Sequence, residues 1–175
     1  VIKNNGDPDR ETLNLIRTRE GAPYYVDSRG NYWRMYLFIE GATCYNLVEK
    51  PEDFYQSGKA FGHFQRLLAH YPARELAETI PGFNDTPGRF RAFRKAVEED
   101  ICGRASEVHN EIQFVMDREQ DMGLAMDMLA KGELPLRVTH NDTKLNNIMI
   151  DDKTGQAICI IDLDTVMPGL SIFDF

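Results

Sequence analysis

The chain has 175 residues, one domain's worth or slightly more, enough to bury roughly 70% of the surface an unfolded chain exposes. Hydrophobic residues make up 42% and charged residues 27%, an ordinary globular composition that excludes disorder, collagen and a disulfide-knot scaffold. The 28 acidic against 20 basic side chains give a net charge of −8, which argues against a nucleic-acid binder, since that needs a basic stripe to displace counterions.

The first residues, Val1 to Arg10, are polar and lack the apolar stretch of a signal peptide. The longest apolar run, Ala157 to Ile161, is far too short to span a bilayer. Cys44, Cys102 and Cys159 are odd in number and widely spaced, so reduced thiols in a cytoplasmic protein are expected, with Cys159 buried in a strand. The chain lacks an initiator Met and stops soon after Pro168-Gly169, which suggests a fragment of a longer protein.

Residues 23–40 read as a hairpin. Pro23 to Val26 leads into the turn-rich Asp27-Ser28-Arg29-Gly30, and the aromatic run Asn31 to Ile39 follows. Glu40-Gly41 breaks the pattern. Phe54, Phe61, Phe64, Leu68 and Tyr71 then recur at helical spacing and predict a helix over 52–70. His63 and His70 on that helix read as packed or solvent-edge histidines, because no HExxH accompanies them. Phe90, Phe93, Val97, Ile101, Val108, Ile112 and Val115 form one stripe and predict a single long helix over about 88–117. A shorter helix over about 119–131 stops at Gly132. Leu136 to Thr139 is a short strand. Asn147 to Ile150 and Ala157 to Ile161 flank a turn, and the second of these strands reads as buried. Asp151 and Asp152 read as turn residues only. The order of hairpin, three helices, short strand and hairpin is α+β.

Polar residues crowd into His140-Asn141-Asp142-Thr143-Lys144-Leu145-Asn146-Asn147, between two strands, and Asp162 ends the apolar strand that follows. Transfer of a phosphoryl group to a hydroxyl needs a carboxylate to orient the hydroxyl, oxygen ligands for Mg²⁺ on the nucleotide, and a cation. Asp142 can be the carboxylate. Asn147 and Asp162 can be the ligands, because Mg²⁺ takes a few hard oxygens plus phosphate and water. Lys144 can be the cation, or a surface lysine. The bland alternative for Asp142 and Asn147 is a pair of turn residues, and Asp162 at its spacing weighs against it. Asp164 reads equally as a second metal contact or a turn residue.

The pattern H-x-D-x-x-x-x-N, met by His140, Asp142 and Asn147 with Asp162 after a hydrophobic strand, resembles the catalytic and metal-binding segments of the protein-kinase-like fold. The His-Asn-Asp form is similar to the branch of aminoglycoside phosphotransferases and choline kinases. Val138 to Asn147 and Ile161 to Gly169 resemble N-acetylhexosamine 1-kinases, as do Phe38-Ile39-Glu40-Gly41-Ala42, Ala60-Phe61-Gly62 and Glu78-Thr79-Ile80-Pro81. The resemblance implies residues 1–39 as the last hairpin of a small N-terminal lobe and 40–175 as a large lobe truncated at its C-terminal end. It further implies Leu37, Phe38, Ile39 and Glu40 as a hinge that meets adenine, Asp142 as catalytic carboxylate, and Asn147 and Asp162 on Mg²⁺. His140 is structural in that fold. The implied reaction is ATP-dependent phosphorylation of a small sugar, on the anomeric hydroxyl of an N-acetylhexosamine.

Departures from the pattern stand at the front. No GxGxxG precedes Leu37, and Lys3 in its polar stretch is a poor strand lysine. The chain taken alone is therefore expected to be inactive, and the alternative to a fragment is a pseudokinase serving as a binding module. Ile158 to Val166 also matches the DxDx[TV] signature of haloacid-dehalogenase-type phosphatases. There Asp162 would be a nucleophile, but that signature belongs near the start of its fold.

Overall fold

The computed structural model describes residues 6–175; Lys3 lies outside the described residues. The described chain forms two units. The first comprises the chain up to His70 with His140–Thr165 and Asp174, and the second comprises Tyr71–Thr139, Val166–Phe173 and Phe175.

The first unit opens with a single helical turn, α1 (Pro8–Glu11), which the sequence reading missed. The Asp7 side chain accepts the Asp9 N–H at its start, and Pro8 fits the first turn, where no N–H is needed. Strand β1 (Leu15–Ile16), also missed, pairs with β4 (Met35–Tyr36). β2 (Tyr25–Val26) and β3 (Tyr32–Trp33) form the expected antiparallel hairpin. Asp27 closes its turn, accepting the N–H groups of Arg29 and Asn31 and the Trp33 indole N–H. These ladders are two residues long, and their side chains stand largely in solvent.

The helix expected over 52–70 is α2 (Pro51–Leu67). Phe54, expected on its buried face, is 66% exposed, whereas Phe61 is buried together with Asp53 and Gln56. Polar residues take part of that face because they have partners. The Gln56 amide oxygen accepts the Ala157 N–H, and Asp53 accepts the N–H groups of Glu49 and Lys50. A three-stranded antiparallel sheet lies beside α2, in the order β5 (Ala42–Thr43), β7 (Ile148–Asp151), β8 (Ala157–Ile160). β7 and β8 are the second expected hairpin; β5 was not foreseen. Of β8 only Cys159 is buried, the other three residues being half-buried, so the strand is less enclosed than its apolar run implied. Phe61, Ile148 and Ile150 form the core, flanked by Ala60, Leu145, Ala157 and Ile160. Enclosing a side chain such as Ile148 contributes about 1.5–3 kcal/mol.

Asp151 does more than turn the chain. Its carboxylate accepts the N–H groups of Lys153 and Thr154, and it also pairs with Arg10 of α1 at 2.9 Å. This pairing joins residues 141 positions apart, beyond the reach of any local turn signal.

In the second unit the single helix expected over 88–117 is two, α3 (Thr86–Glu99) and α4 (His109–Met116). Asp100 takes a left-handed backbone, φ 33°, and Gly103 follows at φ 65°. The Asp100 carboxylate then accepts the N–H groups of Arg104 and Ala105, which stabilises the break. Phe90 is buried as expected, but Ile101 at the break is 87% exposed. The third expected helix is α5 (Leu124–Ala130), closed by Gly132 at φ 75°. β6 (Arg137–Thr139) pairs with β9 (Met167–Gly169), a strand that the Pro-Gly sequence disguised. Gly169 is needed there: a methyl at its Cα would run into the buried side chain of Thr139.

Candidate active site

The candidate site grows from the core of the first unit. His140 is fully buried, with its ring edge-on to Phe61 and Phe64 of α2, centroids 5.3 and 5.8 Å away. Its Nδ1 accepts the Asp142 N–H and its Nε2 faces the Ile161 carbonyl at 3.1 Å. The two bonds together place the ring proton on Nε2. Its role is therefore structural, as the resemblance implied: it ties the 140–147 loop to the end of β8.

Asn141 sits in the left-handed region, φ 66°, which Asn tolerates better than most residues. The chain bends at this residue, and a turn over Leu145–Asn147 then enters β7. The consequence is a compact polar cluster. The Asn147 amide nitrogen donates to the Asp142 backbone oxygen at 2.8 Å and to its carboxylate at 2.9 Å. Lys144 Nζ lies 2.8 Å from the same carboxylate oxygen. Burial pushes the Asp142 carboxyl up, but the hydrogen bonds from Lys144 and Asn147 and the Lys144 charge outweigh it, and the pKa falls below the ordinary value. Lys144 is raised, first by its bond to Asp142 and, against burial, by the charges of Asp142 and Asp162.

Asp162 joins the cluster through the backbone. The Ile161 N–H donates to the Asn147 carbonyl at 2.9 Å, so the residue after it begins beside the loop. Asp162 itself is exposed, with a left-handed φ of 57°. Asn147, which is buried, spends its amide nitrogen on Asp142, and its amide oxygen can act only as an acceptor. No group of three or more His, Cys, Asp or Glu side chains able to hold a metal occurs among the described residues. Asn147 and Asp162, the two ligands expected from the sequence, would offer one hard oxygen each. That donor set fits Mg²⁺, which keeps most of its shell as phosphate and water.

Residues 37–40, expected as the hinge, are tied to the chain that precedes them. The Leu37 N–H continues the β1–β4 ladder by donating to Asn14, and the Glu40 carbonyl accepts from Arg10 at 3.2 Å. Ile39 is buried and Phe38 is 79% exposed. Phe38 and Ile39 thus lie between two pinned ends, and Gly41, φ 65°, turns the chain into β5.

Three residues the sequence reading did not single out complete the site. Asp174 accepts the N–H groups of His140 and Asn141 at 2.9 and 2.7 Å, and the Gln65 amide as well. The Thr165 hydroxyl donates to the His140 carbonyl at 2.7 Å, and the Thr165 carbonyl accepts from Asn141 at 2.8 Å. Arg34 pairs with Asp164. No local signal marked them, since each acts across more than 20 positions; Asp164, the partner of Arg34, reads from the sequence as a metal contact or a turn residue.

No described helix is long and apolar enough to cross a membrane. The family model of the phosphotransferase enzyme family, APH, matches residues 8–175, nearly the whole chain and all of the candidate site residues. This family carries the protein-kinase-like fold and phosphotransferase activity, and the small sheets and helices here are compatible with a part of that fold. The chain belongs to the APH phosphotransferase family.

Proposed function

We propose that this site transfers the γ-phosphoryl group of ATP, with Mg²⁺, to the anomeric hydroxyl of an N-acetylhexosamine. The cluster of Asp142, Lys144 and Asn147, with Asp162 entering beside Asn147, is the observation that carries the reading. The choice of sugar rests on the resemblance of Val138 to Asn147 and Ile161 to Gly169 to sugar 1-kinases.

Asp142 accepts the hydrogen bond of the attacking hydroxyl and aims its oxygen at phosphorus. Because Lys144 and Asn147 hold the Asp142 carboxyl below its ordinary pKa, it is a weak base that takes the proton late. Such timing suits a loose transition state, in which little charge develops on the nucleophile before the leaving group departs. An anomeric hydroxyl, more acidic than an ordinary alcohol, lowers the demand further. Lys144, half-exposed at the same carboxylate, offers its charge to the transferred group. Asn147 and Asp162 would hold Mg²⁺, which would neutralise charge on the nucleotide phosphates. Phe38 and Ile39 supply the backbone for the adenine edge.

Two alternatives lose ground. β8 is an antiparallel strand paired through a short turn with β7, and Asp164 is engaged by Arg34. The phosphatase signature thus lacks its acid/base partner in a free state. A purely binding role leaves the Asp142 cluster without a purpose.

The test is ATP consumption by the full-length protein across a panel of sugars, choline and aminoglycosides, with analysis of the product. An N-acetylhexosamine 1-phosphate is expected, and Asp142→Asn should lower kcat by about 10²–10⁴-fold. Exclusive phosphorylation of another class of hydroxyl would contradict the substrate, and an unaffected kcat in Asp142→Asn would contradict the role of that carboxylate.

A further inference from the structure

The turn that carries Asp162 is anchored at both ends. Before it, Ile161 donates to the Asn147 carbonyl; after it, Thr165 is bonded through hydroxyl and carbonyl to His140 and Asn141. Between these anchors Asp162, Leu163 and Asp164 are all exposed. Asp162 moreover holds a left-handed backbone, which Asp tolerates better than most residues with a Cβ. Backbone bonds at the two ends do not by themselves fix the direction of the Asp162 carboxylate.

Arg34 grips the last residue of that turn. It lies between β3 and β4, three residues ahead of Leu37, and its guanidinium pairs with Asp164 while lying 5.6 Å from the centre of the Tyr36 ring. The two side chains are 49% and 61% exposed, and an ion pair in that setting contributes little to global stability. Its consequence is geometric. The Asp164 bond foremost, and the charge of Asp162 among the lesser causes, raise the Arg34 pKa, so the guanidinium lies within the field of the metal-site carboxylate.

We propose that Arg34 is a positioning residue: by holding Asp164 it fixes the 162–164 turn so that the Asp162 carboxylate stays directed toward the ion it shares with Asn147. The same contact ties that turn to the strand running into residues 37–40. This rests on the phosphotransfer reading of Asp162. It also carries a sign that simple electrostatics does not. A cation near a metal site repels the metal, so deleting the Arg34 charge should tighten metal binding if charge alone matters. Positioning predicts the opposite.

The experiment measures Mn²⁺ affinity by electron paramagnetic resonance in the full-length protein, with a non-hydrolysable ATP analogue present. Arg34→Ala and Asp164→Ala should each weaken Mn²⁺ binding by about tenfold, as loss of an outer-sphere support does. The double variant should bind no more weakly than the worse single variant, since both remove one contact. Arg34→Lys, which keeps the charge but not the planar fork, should recover part of the loss. Should an alanine variant fail to fold, Arg34→Lys and Asp164→Asn carry the same comparison. Unchanged or tighter Mn²⁺ binding in the Arg34 variants, or additive losses in the double variant, overturns the proposal. Asp162→Asn separates the two levels. If it abolishes Mn²⁺ binding while the Arg34 variants do not weaken it, the positioning role alone fails. If it binds Mn²⁺ like the wild type, the phosphotransfer reading of Asp162 fails and the positioning role with it.

Discussion

The Asp174 carboxylate accepts the backbone N–H of Asn141 at 2.7 Å. Its other oxygen takes the N–H of His140 at 2.9 Å, so one side chain holds two consecutive peptide groups at the bend. Backbone N–H groups beside a fully buried histidine have no water to turn to, and an unmet donor there costs about 1–3 kcal/mol. Held this way, the left-handed Asn141 leads directly into Asp142.

Replacing Asp174 with Asn leaves one acceptor oxygen and turns an NH₂ group toward the second backbone N–H. Asp174→Asn should therefore destabilise the protein by about 1–3 kcal/mol and lower kcat more than it changes the KM for ATP. Thermal denaturation with steady-state kinetics checks this; an unchanged Tm would show that the clasp contributes little.

The Lys144–Asp142 contact makes a prediction about pH. Lys144 helps hold the Asp142 carboxyl below its ordinary value. Removing that cation raises the carboxyl pKa, so more acid enzyme carries a protonated Asp142. Lys144→Met should move the acid limb of the kcat/KM profile to higher pH, and the opposite shift would place Lys144 outside the electrostatics of this carboxylate.

Asp151 offers a test of stability against pH. The Thr154 N–H first, then Arg10 and the Thr154 hydroxyl, lower its pKa from 3.8 to about 2. A carboxyl depressed in the folded state contributes stability fully above its unfolded value, and that contribution is lost as pH falls from near 4 toward 2. Wild type should exceed Asp151→Asn in Tm at pH 7, with the gap closing by pH 2. A gap independent of pH would mean that the charge of Asp151 plays no part.

Legibility in the sequence followed the range of the interaction. The hairpin at Asp27 to Gly30, helix α2, the stop at Gly132 and the β7–β8 hairpin were readable because turn residues and periodicity are local signals. The cluster of Asp142, Lys144 and Asn147 was readable because its members lie within six positions. The break at Asp100 was hidden, since the apolar spacing runs on through Ile101 while the backbone does not. β1, β5 and β9 were hidden because each pairs with a strand distant along the chain, so no hairpin turn marks it. Asp174, Thr165, Arg34 and Arg10 were invisible for a different reason: each finds its partner only once the chain has folded.

The fate of the phosphoryl group separates the two chemistries open to Asp162. As a metal ligand this carboxylate never bears phosphate; as a nucleophile it must form an acyl-phosphate, which hydroxylamine cleaves. Full-length protein incubated with γ-labelled ATP, Mg²⁺ and an N-acetylhexosamine should pass its label to the sugar, with no hydroxylamine-sensitive label on the protein. A stoichiometric acyl-phosphate mapped to Asp162 would contradict the kinase assignment outright.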